Sequence, residues 1–191
     1  LINRAGAAAQ LAGAINGDVS NIGAITLTGR TTGINLLIQS DAGSFDLAGF
    51  DTNVGLLVGG GSVTLGGAAM TTGRTGTSSV FSGVISGNGS LVKATTGTLS
   101  LTGTNTYTGG TTISGGVLRL GDGGASGSIV GPVVNNATFM ITRSDAYTFG
   151  GPISGSGMVV QDGTGTTTLT GANTYAGGTL VARGRLAGNT T

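Results

Sequence analysis

Cysteine, histidine, tryptophan and glutamate are all missing from this chain, and proline occurs only twice in 191 residues. Without cysteine there is no disulfide, no thiol nucleophile and no thiolate metal site. Without histidine there is no Ser-His-Asp triad. Charge is scarce too: 8% of the residues are charged, for a net of +1, against about 25% in an ordinary soluble domain. One lysine, Lys93, and seven scattered arginines form no phosphate-tracking patch, so neither nucleic acid nor an anionic membrane is expected as a partner. No apolar run approaches the ~20 residues of a membrane-spanning helix, so no membrane insertion of this segment is expected. The chain opens on Leu1 rather than Met and shows no signal peptide, so it is expected to be an internal or processed piece of something longer.

What the chain has is glycine, 41 of it, with 38% hydrophobic residues. That much apolar content at so little charge argues for a folded domain, not disorder. The patterning has a period of two. "TLSLTG" (98–103), "VLRLG" (117–121), "TFMIT" (138–142), "ITLTG" (25–29), "SFDLAG" (44–49) and "SVTLGG" (62–67) alternate apolar with small or polar residues and stop at Gly or Thr. These are short, half-buried strands between tight corners. Helices are excluded over stretches such as "GGGSVTLGG" (59–67), where each Gly costs roughly 1 kcal/mol relative to Ala. The exception is "RAGAAAQLAGAI" (4–15), so residues 1–20 are expected to be a helical or irregular lead-in.

One motif is written twice. Residues 81–118 align with 149–186 at an offset of 68 without a gap, with 21 identities in 38 positions. Asn105-Thr106-Tyr107-Thr108-Gly109-Gly110-Thr111 returns as Asn173-Thr174-Tyr175-Ala176-Gly177-Gly178-Thr179. An internal repeat of short strands points to a solenoid. The expected fold is all-β, a right-handed parallel β-helix of about eight coils, one domain over 1–191. Three coils of about 22–23 residues, or four of about 17, would fill each unit of 68. At a strand spacing of ~4.8 Å the rod would be roughly 40 Å long. On this reading the second copy stands a whole number of turns above the first, with Tyr175 on the same side as Tyr107.

"GVISGNGSLVKATTGTLSLTGTNTYTGGTTISGGVLRLG" (83–121) resembles the passenger-associated transport repeat of bacterial autotransporters. Residues 85–118 match nearly all of its pattern and 153–186 most of it. Gln161 replaces a Lys, Thr167 replaces a Leu, and "VARGRL" (181–186) replaces the usual ending. "FDLAGFDTNVGLLVGGGSVTLGG" (45–67) resembles the segment that commonly precedes such a repeat. The resemblance implies a β-helical passenger exported to the surface of a Gram-negative cell by a C-terminal outer-membrane β-barrel of the same precursor. It also implies a role in secretion and folding of the passenger. A chain free of disulfides suits passage through a pore in the unfolded state.

The candidate residues are the repeat motif itself: Asn105, Tyr107, Gly109, Gly110, Asn173, Tyr175, Gly177 and Gly178. They are read as structural, an Asn-stabilised corner whose Tyr covers the Gly-Gly backbone. "GDGGASG" (121–127) is read as a plain turn, since it lacks the repeated Asp of a calcium array and the Lys of a phosphate loop. Asp41, Asp46 and Asp51 recur at intervals of five, but Asp46 should face away from Phe45 and Leu47 into solvent. Arg183 and Arg185 are read as a solvated basic spot. No enzyme, metal or cofactor is expected. The expected function is a non-enzymatic extracellular stalk, with two alternatives: an adhesin module, or a subunit of a fibre that self-associates end to end.

Overall fold

The structure, a computed structural model, describes residues 1–73 and 76–188. The described residues form strands and corners with no helix. Every strand pairing is parallel. The chain winds as a solenoid with three faces. Face I carries a ladder that runs Asn3, Asn21, Gln39, Gly59, Phe81, Leu101, Leu120, Ile141, Gln161, Val181. Nine turns separate Asn3 from Val181, and the expected eight coils come close to this. Neither expected coil length is kept throughout, because corner lengths vary: the turn from Asn21 to Gln39 is shorter than the turn from Gly59 to Phe81.

Face II stacks Ala9, Ile25, Phe45, Val63 and Ile85. It continues through a single bridge, Thr104 to Ser128, and resumes with Phe149, Leu169 and Gly188. Face III stacks Thr31, Thr52, Met70, Leu91, Thr111, Val133 and Ile153. The core is the inward half of these ladders. Phe45, Phe81, Leu101, Leu120, Ile141 and Ile153 are all fully buried. The alternation seen in the sequence is the alternation between core and surface.

Two expectations are corrected. Residues 4–15 contain no helix: Ala8–Asn21 is one long strand paired with Ala24–Gln39. The helix propensity of its alanines is weaker than the ladder of parallel bonds, and Gly13 and Gly17 hold positive φ values of 82° and 156°. The second correction concerns the repeat. Phe81 lies in the face I ladder, but its counterpart Phe149 lies in face II. Tyr107 follows a segment bonded to Ile85 of face II, whereas Tyr175 follows one bonded to Ile153 of face III. The offset of 68 therefore spans three turns plus one face, and the two tyrosines sit on different sides of the rod. In-register stacking of the copies fails. The parallel solenoid stands, because it rests on the ladders between successive turns and not on the phase of the repeat.

The first turns contain a buried polar column. Asn3 Nδ2 donates to Asn21 Oδ1 at 2.9 Å, and Asn21 Nδ2 donates to Gln39 Oε1 at 2.7 Å. Remaining donors reach backbone carbonyls of the next corner, Asn21 to Ser44 and Gln39 to Ser62. Stacking amides of similar length lets each satisfy its neighbour inside the core.

Candidate functional site

Each repeat copy is built from two corners that lie one turn apart. The lower corner is Ile85-Ser86-Gly87-Asn88-Gly89, and the upper one is the Asn-Thr-Tyr motif of the next turn. Asn105 Oδ1 accepts the Ile85 N–H at 2.9 Å. Thr106 N–H and Thr108 N–H donate to the carbonyls of Ile85 and Gly87, both at 2.9 Å. Leu91 N–H closes the unit by donating to Gly110 O at 3.1 Å. The second copy makes the same bonds: Ile153 N–H to Asn173 Oδ1 at 3.0 Å, Thr174 N–H to Ile153 O, Ala176 N–H to Gly155 O, and Val159 N–H to Gly178 O. Asn is needed here because the chain turns too sharply for a backbone carbonyl to meet Ile85, and the short amide reaches in its place.

Tyr107 and Tyr175 bridge the corner from inside. Both are buried, and each hydroxyl shares a 2.7 Å hydrogen bond with the Thr four residues on, Thr111 or Thr179. Burial pushes the Tyr107 phenol well above its ordinary pKa, against the Thr111 bond that opposes the shift. Gly109 and Gly177 are needed for close approach: a Cβ on Gly109 would stand 2.5 Å from Gly89 O, and one on Gly177 2.4 Å from the Gly157 carbonyl carbon. Gly110 and Gly178 then turn the chain with φ near 84° and 81°.

Lys93 is fully buried, with no ion-pair partner among the described residues. Its ammonium donates to the carbonyls of Ala94 (2.6 Å), Thr95 (2.9 Å) and Gly115 (3.1 Å). Desolvation holds its pKa below the ordinary value. Gln161 occupies the same place in the second copy, and its Nε2 donates to Gly163 O, the counterpart of Thr95 O. In both copies a long side chain ending in N–H reaches under a corner and satisfies its carbonyls. The Lys-to-Gln departure keeps the bond and drops the charge.

The acidic residues serve separate corners. Asp46 is half-buried between the fully buried Phe45 and Leu47, and its Oδ1 accepts Ala48 N–H. Asp51 accepts Ala69 N–H and pairs with Arg30 at 3.6 Å. Asp122 accepts Gly124 N–H within the 121–127 turn. Arg183 pairs with Asp162 at 3.1 Å, and Arg185 is exposed. Among the described residues no group of three His, Cys, Asp or Glu could hold a metal ion.

Sequence reasoning passed over Arg143. Its guanidinium donates to Gly127 O and Ala125 O, pairs with both Asp145 oxygens, and lies 4.6 Å from the Tyr147 ring centroid. It staples the 121–127 turn to the next coil and holds the Asp145 carboxyl below the usual range. Asp145, two residues on, is the one partner the sequence could have shown, whereas the carbonyls of Gly127 and Ala125 leave no mark in it. The amide column had a signal: Asn3, Asn21 and Gln39 recur at a constant interval of 18.

Such a geometry defines a parallel β-solenoid whose repeats recognise their own preceding turn. A family model described as passenger-associated-transport-repeat matches residues 91–120 and 159–187. The two matched segments overlap the two copies of the motif, so the likeness to passenger-associated-transport repeats lies in those segments of the solenoid. No curated protein and no solved structure gives a significant match to it.

Proposed function

We propose that this domain is a non-enzymatic extracellular stalk of an autotransporter-type surface protein, and that its repeats help the passenger fold as it emerges. The observation that carries this reading is the bonding of each repeat to its own preceding turn, through Asn105 to Ile85 and Asn173 to Ile153. A chain leaving a pore presents one segment at a time. A contact between adjacent turns closes a short loop and forms early. Once formed, the corner offers the next segment an edge to stack on, and neighbour-by-neighbour growth follows. Two such units on different faces would lock two sides of the rod. The partner in export is the outer-membrane β-barrel of the same precursor, and the location is the cell surface.

The test is export of this chain fused ahead of an outer-membrane β-barrel. Asn105→Ala with Asn173→Ala should lower the protease-resistant passenger at the cell surface and leave synthesis unchanged. Wild-type surface levels and protease resistance in the double variant would remove the folding role.

A further inference from the structure

Faces I and III are continuous ladders among the described residues, but face II is broken. Ala146–Phe149 pairs with Thr166–Leu169 above it, in a separate sheet, and with nothing below. The segment beneath it, 128–130, bonds downward only, through Ser128 to Gly103 and Asn105. No backbone hydrogen bond joins 128–130 to Ala146–Phe149. Side chains span the gap instead: Arg143 reaches Gly127 and Ala125, and Tyr147 Oη reaches Ile129 O at 3.5 Å. In a parallel strand alternate residues point their N–H and C=O to opposite sides. With Phe149 O bonded upward to Thr170 N–H, Thr148 points both its groups down into the gap. Neither they nor the Ile129 N–H has a hydrogen-bond partner among the described residues. A groove of about 580 Å³ opens at this level, lined by Val130, Pro132, Tyr147, Phe149 and Pro152 among others, with no charged residue. Val130 and Thr148 are exposed at its mouth.

We propose that this break is a strand-accepting groove, in which an extended, uncharged peptide segment adds along the free edge of Ala146–Phe149. An open edge is a template for a further strand. A peptide backbone carries the N–H and C=O groups that would meet those of Thr148 and the N–H of Ile129. The uncharged lining selects against acidic or basic side chains, which would be desolvated with no counter-charge. The inference does not depend on the stalk reading, since a groove of this kind could serve a spacer or an adhesin.

The probe is an acetylated, amidated hexapeptide of alternating threonine and valine, whose two edges can pair with Thr148 above and Ile129 below. It is titrated into the whole chain while amide exchange is followed residue by residue. Saturable binding should slow exchange at Thr148 and Ile129 by about tenfold or more, and leave amides of face III unchanged. Thr148→Pro removes an N–H that bonds nothing in the free protein, so the fold should survive while binding weakens about tenfold. Val130→Asp, at an exposed position, should weaken it comparably and serves should the proline variant misfold. Unchanged exchange at saturating peptide, or undiminished binding by the variants, overturns the proposal. So does protection of the same amides by cellohexaose and not by the peptide.

Discussion

The two copies of the repeat make one set of hydrogen bonds on two sides of the rod. Asn105 over Ile85 and Asn173 over Ile153 are the same contact, at 2.9 and 3.0 Å, yet Ile85 belongs to face II and Ile153 to face III. The repeat is thus a unit of local stacking, one turn upon the next, and not a period of the rod. Between the copies the corner 121–127 and one full turn, from Ser128 to Phe149, intervene without disturbing either. The copies differ in two respects. The first is covered, with Pro132 packed within 3.0 Å of where a Gly110 Cβ would stand, whereas nothing lies within 4 Å of that point on Gly178. The first also buries a charge, Lys93, where the second buries the Gln161 amide.

The sharpest way to break this equivalence is a methyl group between the stacked corners. Gly109→Ala would push Cβ against the Gly89 carbonyl at 2.5 Å, backbone against backbone. Neither side can swing away, so the turns must separate. A loss of about 3 kcal/mol or more is expected in urea unfolding. Gly177→Ala meets the same obstacle at 2.4 Å, but close to the exposed last turn, where Leu180 and Val181 are about half exposed. Its loss should be smaller. Equal losses would mean that the cover over the first copy contributes nothing.

Asn105→Ala comes next. It leaves the buried Ile85 N–H without an acceptor and also removes bonds to the carbonyls of Gly103 and Ser128. An unsatisfied buried donor costs about 1–3 kcal/mol, and the upper end is expected here. Asn105→Asp keeps the acceptor but turns a buried carboxylate oxygen toward the carbonyls of Gly103 and Ser128, so it should not restore wild-type stability in the same urea titration.

What could be read in advance follows from where the information is local. Alternation of Leu with Thr and Ser in 98–101 marks a strand whichever face it lands on, and the Asn-Thr-Tyr-x-Gly-Gly corner carries its own geometry. The solenoid was therefore legible. The phase of the two copies was not, because it depends on the summed length of every corner between them. The lengthened 121–127 corner shifts where faces fall without leaving a mark in the motif. The long Ala8–Asn21 strand was illegible for a related reason: its alanines favour a helix, and only the partner strand Ala24–Gln39 decides otherwise. Nothing in the sequence marked Lys93 and Arg143 as buried, because Lys93 and, beyond Asp145, Arg143 bond main-chain carbonyls, which every sequence has.

Tyr107→Phe should cost about 1 kcal/mol at neutral pH, since the Thr111 hydroxyl loses its partner in a dry corner. It also has a pH signature. Burial raises the Tyr107 phenol above 10.0, so above that pH the unfolded state gives up its proton first. Stability should fall as the solution is made more alkaline than pH 10. In the phenylalanine variant that part of the decline should be absent. A decline of the same steepness in both proteins would assign it to other groups.

Lys93→Gln gives the first copy the residue of the second, and the smallest change at neutral pH is expected from it, within about 1 kcal/mol. Carbonyl bonds to the ammonium are lost, but so is the penalty of burying a charge. The amide can still reach the carbonyl of residue 95, as Gln161 reaches Gly163. The difference lies in the pH profile. Desolvation lowers the folded-state pKa of Lys93 below 10.5, so between that lowered value and 10.5 the unfolded chain binds more protons than the folded one. Wild-type stability should rise with pH across this window. The glutamine variant should show no such rise, which makes the two copies alike in charge as well as in bonding. If urea midpoints of wild type and variant run parallel up to pH 10, the Lys93 ammonium is not desolvated in solution, and the corner above it opens more readily than that above Gln161.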